Sequence, residues 1–179
     1  MAAIFHKHPR LRDRDYTQGA YFVTLCTKPR RELFGRITGL GKNAMMELND
    51  VGQIVDECWR GIPEHFPHAH LDQTQIMPDH LHAILILAPQ IAPVPSTQWV
   101  DPTDAIGRAR AHPNGPKRGS LGAIIGAFKS VTTKRINSAT GNTGRTIWQY
   151  GYFERAIRRN GGEYGRISQY IAENPANWR

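Results

Sequence analysis

Cysteine is scarce in this 179-residue chain, which has only Cys26 and Cys58, both in apolar stretches and without metal-site spacing. That argues against a disulfide framework or a zinc knuckle and predicts two buried thiols in a reducing compartment. No apolar run approaches the ~18 residues that span a bilayer, and the opening MAAIFHKHPRLRDRD lacks the apolar centre of a secretory signal. A soluble, cytoplasmic protein with no membrane partner is expected. Repeats are absent, and the only biased tract is one proline-rich stretch. With 40% apolar residues the length suits a single domain with a real core.

Acidic residues are nearly missing from one third of the chain. Residues 101–160 hold eleven Lys and Arg against three acids, Asp101, Asp104 and Glu154, a surplus of eight. The remainder carries twelve of each sign, so the whole net charge of +8 belongs to that third. Phosphate neutralisation is the commonest use of such a cluster, which points to a nucleic-acid partner.

AYFVTLCT, from Ala20 to Thr27, is aromatic and β-branched and follows a glycine, which predicts a first strand. After the turn-like KPRRELFGRITGLGK, apolar residues at three- and four-residue spacings predict a helix from Asn43 to Arg60. A second strand is expected over about 69–77, a break at Pro78 and Asp79, and a third strand from His82 to Leu87. Residues 88–118, with six prolines, predict a long surface loop, and Ser120 an N-cap for a helix from about Leu121 to Ile136. IWQYGYFERAIRR predicts a short strand or extended segment, its pattern being compatible with helix as well as strand. A last helix, from about Gly162 to Glu173, turns Tyr164, Ile167 and Ile171 inward and ends before Pro175. This β-α-β-β-α-β order is that of a ferredoxin-like (RRM-like) α+β sandwich, with an antiparallel sheet covered by helices.

In MPDHLHAILIL, His80 and His82 stand at i and i+2, which in a strand sends both imidazoles to one face while Leu81 points to the core. Neutral imidazoles so placed chelate a divalent cation, although H-x-H alone is more often structural. Tyr170 and Asn174 are one helical turn apart and present a phenol and an amide on one face. On spacing alone, a packing aromatic and a helix cap before Pro175 remain the simpler assignment.

The stretches GAYFVTLCTKPRRELFG, MPDHLHAILIL, IGAFKSVTTKRIN, IWQYGYFERAIR and YIAENP occur in that order and cover nearly the whole chain. Together they resemble the REP-associated tyrosine transposases, relatives of insertion-sequence transposases that carry a histidine-hydrophobic-histidine (HUH) motif. The resemblance implies one HUH catalytic domain over residues 1–179, a Mg²⁺ or Mn²⁺ site, and cleavage of single-stranded DNA next to palindromic hairpins. It places His80 and His82 as the metal pair, Tyr170 as the nucleophile and Asn174 as the third metal ligand. Arg155 departs from the pattern, since family members often have histidine there.

Attack by Tyr170 would leave a 5′-phosphotyrosine and a free 3′-hydroxyl, and the retained ester bond would allow rejoining without ATP. A phenol with a pKa near ~10 needs a neighbouring cation for this. Lys129, Lys134, Arg135, Arg155, Arg158 and Arg159 are the expected phosphate contacts. Among Trp148, Tyr150, Tyr152 and Phe153, Trp148 and Tyr152 are the expected stacking surfaces, although each aromatic in such a run more often serves the core. Glu154 orients a histidine or pairs with Arg155, the ion pair ranking higher. Three alternatives stay open: a non-catalytic single-strand-binding module, a hydrolase that uses activated water, and a retired transposase kept as a regulator. Monomer and homodimer are both compatible with the connector RRNGGEY.

Overall fold

The computed structural model of the protein describes residues 15–89, 116–158 and 162–178. Along the chain come β1 (Gly19–Cys26), β2 (Gly35–Thr38), β3 (Met45–Leu48), α1 (Asp50–Arg60), α2 (Ile62–His65), β4 (Ala69–Met77), β5 (His80–Leu87), α3 (Leu121–Ala139), β6 (Phe153–Ala156) and α4 (Glu163–Ala172). Strands β4, β5, β1 and β6 lie side by side in that order, every neighbouring pair antiparallel. The central pair, β5 and β1, is buried on both faces, which is why HAILIL and YFVTLC read as continuous apolar runs. This is the ferredoxin-like arrangement that the sequence predicts.

The two faces of the sheet carry different work. Tyr21, Val23 and Leu25 of β1, with Leu81, Ala83 and Leu85 of β5, join Val55 and Trp59 of α1 and Ile124 and Phe128 of α3 in the main core. Each such large side chain contributes ~1.5–3 kcal/mol by leaving water. The alternate residues Phe22 and Ile84 face the other way and form a smaller cluster with Ile157 and Ile171 of α4. Helix α4 is therefore pressed on the sheet face opposite α1 and α3. The period of two in a strand separates scaffold from site.

Several details differ from the expectation: β5 begins at His80 rather than His82, and α3 runs to Ala139 rather than Ile136. The stretch predicted to be helical from Asn43 begins with a hairpin strand, because Met45–Leu48 pairs with Gly35–Thr38, a strand inside the stretch predicted as turn. The helix starts only after Asn49, whose side chain accepts the Gly52 N–H at 2.9 Å and donates to the Leu33 carbonyl at 3.1 Å. Gly52 is required there, since a Cβ would lie 2.0 Å from the Phe34 carbonyl oxygen. Tyr164 does not point inward with Ile167 and Ile171. It is partly exposed, and its hydroxyl donates to Asp72 at 2.5 Å, tying α4 to β4. Cys26 and Cys58 are buried thiols that form no disulfide with each other, as expected. The larger part of the proline-rich segment, residues 90–115, lies outside the described residues. Among those described, no helix is long and apolar enough to cross a membrane.

Candidate active site

A two-residue turn, Pro78–Asp79, joins β4 to β5, so His80 is the first residue of its strand and His82 the third. Both side chains lie on the α4 face while Leu81 is fully buried on the other. The Nε2 atoms of His80 and His82 are 3.0 Å apart. Each Nδ1 is engaged behind: that of His80 with Asp79 Oδ1 at 2.5 Å, that of His82 with Thr24 Oγ1 at 2.8 Å. Thr24 is paired with His82 across β1 and β5. An Nδ1–H given to a carboxylate or hydroxyl leaves the Nε2 lone pair directed at the shared space, the tautomer a chelating histidine needs.

The charges agree with that tautomer. Burial, then the neighbouring His80 and Arg30, lowers the His82 pKa from 6.5 to about 3, so this ring is neutral at pH 7. Burial alone would raise the Asp79 carboxyl, but hydrogen bonds from His80 and Arg30 outweigh it and hold it well below the usual carboxylate range. Arg30 reaches Asp79 through two donors, Nε to Oδ2 at 2.6 Å and Nη2 to Oδ1 at 3.0 Å. The donor set suits a divalent ion: two nitrogens ~2.1 Å from one metal at right angles lie ~3.0 Å apart. Among the described residues, no group of three or more His, Cys, Asp or Glu gathers around a metal position.

Helix α4 delivers Tyr170 to this pair. The Tyr170 hydroxyl lies 3.4 Å from His82 Nε2, and its ring meets those of His82 and Phe22 edge-on at 5.3 and 6.1 Å. It is 51% exposed. The helix is anchored by Ile171, by Tyr164, and by Glu163, which pairs with Arg155 at 2.6 Å and accepts the Arg158 N–H at 2.9 Å. Asn174 follows one turn later. Its amide donates to the Tyr170 carbonyl at 3.4 Å. Trp178 then turns back over His80, the ring centres 5.9 Å apart.

A Haemophilus influenzae (strain Rd) protein described as uncharacterized is 35% identical over 181 residues, covering 99% of this chain and 92% of its own length. The chain belongs to that protein's family. No family model matches either the chain or any part of it. Among solved structures, a REP-associated tyrosine transposase bound to a REP hairpin superposes with a TM-score of 0.55 at 19% identity, covering 92% of this chain and 71% of the other. The member of the Haemophilus family described here thus has a transposase-like fold.

Within this family member, the basic and aromatic residues expected at DNA are not gathered in one place. Trp148 is a core residue, 3% exposed, against Phe34 and Phe128, with its indole N–H on Thr132 at 2.8 Å. It offers no face to a base. The Lys129 ammonium donates to the Gln149 and Gly151 carbonyls at 2.9 and 2.7 Å and sits 5.5 Å from the half-buried Tyr152 ring centre. Arg135 pairs with Glu57 on the helical side, at 2.6 Å. Arg155 pairs with Glu163, not with Glu154, and its strand register puts it on the tyrosine face beside Phe22. Lys134 and Arg158 are exposed, and Arg159 lies outside the described residues.

Thr24, Arg30, Asp79 and Trp178 escaped the sequence reading. Asp79 carried a usable signal, since a carboxylate beside a chelating histidine commonly takes its second nitrogen. Thr24, Arg30 and Trp178 reach the site only by folding.

Proposed function

We propose that this protein is a metal-dependent single-tyrosine DNA nuclease and strand transferase of the HUH type, acting on single-stranded DNA beside hairpins. The observation that carries the proposal is the convergence of the His80 and His82 Nε2 atoms with the Tyr170 hydroxyl on the sheet face that α4 packs against. The fold shared with a REP-associated tyrosine transposase supports it.

His80 and His82 would hold Mg²⁺ or Mn²⁺, with the Asn174 amide oxygen as third ligand; the nitrogen donors favour Mn²⁺ in vitro. When bound, the ion supplies a Lewis acid for a phosphate oxygen. Asp79 and Thr24 keep the two imidazoles in the ligating tautomer. Tyr170, held by the α4 anchors, attacks phosphorus: the Oη–P bond forms, the P–O3′ bond breaks, the phenol proton passes to water and the 3′ oxygen takes one up. The product is a 5′-phosphotyrosine with a free 3′-hydroxyl, and the reverse displacement rejoins ends without ATP.

The test is incubation of hairpin-bearing single-stranded DNA with Mg²⁺ or Mn²⁺, followed by a denaturing gel for covalent adduct. The wild-type protein should form adduct and Tyr170→Phe should form none. Cleavage by Tyr170→Phe without adduct would mean a water-activated hydrolase. His80→Ala and His82→Ala should abolish cleavage while retaining most of the salt-sensitive DNA affinity; equal loss of both would make these histidines structural.

A further inference from the structure

We propose that Arg30 is a phosphate-contacting residue of the site, presented to DNA by Asp79; this rests on the nuclease reading above. The loop that carries Arg30 is stitched to the Pro78–Asp79 turn. Thr27 gives both its N–H and its hydroxyl to the Asp79 carbonyl, at 2.9 and 3.0 Å, and the Leu33 N–H reaches the Pro78 carbonyl at 2.8 Å. The Arg31 N–H closes the loop on Thr27 Oγ1 at 3.0 Å. The turn that aims His80 therefore also places the arginine.

The side-chain contacts run outward from a buried anchor. Asp79 is 11% exposed and uses Oδ1 for both His80 Nδ1 and Arg30 Nη2, and Oδ2 for Arg30 Nε. Because His80 Nδ1 spends its proton on Asp79, the 3.3 Å approach of Arg30 Nη2 to that nitrogen is a shared position on one carboxylate rather than a bond of its own. The Arg30 side chain is 39% exposed. Its Nη2 lies 3.3 Å from His80 Nδ1 and the Tyr170 hydroxyl 3.4 Å from His82 Nε2, so both adjoin the histidine pair. A planar guanidinium oriented by a carboxylate recognises a phosphate oxygen far better than a mobile ammonium does.

The experiment measures affinity for hairpin-bearing single-stranded DNA against salt in EDTA, in a Tyr170→Phe background so that no covalent product forms. Mn²⁺ affinity is measured separately by calorimetry. Arg30→Gln should weaken DNA binding about tenfold and reduce the slope of log K against log salt by ~0.7, one phosphate contact on a single strand. Mn²⁺ affinity should stay within threefold. Arg30→Lys, which keeps the charge, should recover most of the slope, and it stands in if Arg30→Gln does not fold. An unchanged slope in Arg30→Gln, or recovery in neither variant of a slope that both lose together with Mn²⁺ binding, overturns the proposal in favour of a role in positioning His80. If the wild type forms adduct and the slope is unchanged, Arg30 fails and the nuclease reading survives. If the slope falls as expected but the wild type forms no adduct, the phosphate contact survives and the nuclease reading fails.

Discussion

Lowering the pH from 7 to 4 should destabilise the fold through His82. The ring is 6% exposed, packed on Phe22 with centres 5.4 Å apart, and its pKa is lowered from 6.5 to about 3, with burial the leading cause. The folded state therefore releases its proton more readily than the unfolded state. Above pH 7 neither holds one and the ring contributes no pH dependence. As pH falls below 6.5 the unfolded chain takes up a proton that the folded chain refuses, so stability is lost across the window from 6.5 toward 3. At pH 4 the loss reaches on the order of 3 kcal/mol, a large part of an ordinary domain's stability. Asp79 acts in the same direction at lower pH: its carboxyl is held below the usual range, so its contribution is present near neutrality and disappears as acid protonates it. The assay is the urea midpoint and slope at several pH values between 7 and 4, for wild type and His82→Gln, whose amide can still meet Thr24. The two curves should diverge as pH falls, the wild type losing on the order of 3 kcal/mol more than the variant. Parallel curves would refute the claim that a neutral, buried His82 underlies the site.

Mn²⁺ at a hundred times its Kd should add ~2.7 kcal/mol to the unfolding free energy of the wild type and nothing to the His80→Ala, His82→Ala double variant. Equal gains in both would place the ion elsewhere. Gly52→Ala would gain ~1 kcal/mol of helix propensity, but its Cβ would lie 2.0 Å from the Phe34 carbonyl oxygen; thermal melting should show a net loss, and a stabilised variant would contradict the described packing. Lys129→Met removes the donor shared by the Gln149 and Gly151 carbonyls and should cost ~1–3 kcal/mol while leaving the salt slope of DNA binding unchanged. A slope reduced at constant stability would return Lys129 to the DNA surface.

Local pattern determined a good deal of this protein. Runs such as YFVTLC and HAILIL have the length and β-branched content of strands buried on both faces, and the i, i+2 spacing of His80 and His82 puts both rings on one side of their strand whatever surrounds it. The i, i+4 spacing of Tyr170 and Asn174 likewise put a phenol and an amide on one helical face. Charge counting was less informative: it located the surplus in residues 101–160 but not its direction, and Arg135 and Lys129 answer Glu57 and backbone carbonyls. Periodicity also ran the first helix back through Met45–Leu48, because a short half-exposed strand and a helical face share apolar spacings until a partner strand decides. Only the tertiary structure could choose the sheet face that α4 covers, bring Tyr170 within 3.4 Å of His82, and set Arg30 on Asp79 and Thr24 on His82. Those contacts join residues from 49 to 88 positions apart, and no local propensity encodes a pairing across that distance; it follows from strand order and from the face each alternate side chain is given.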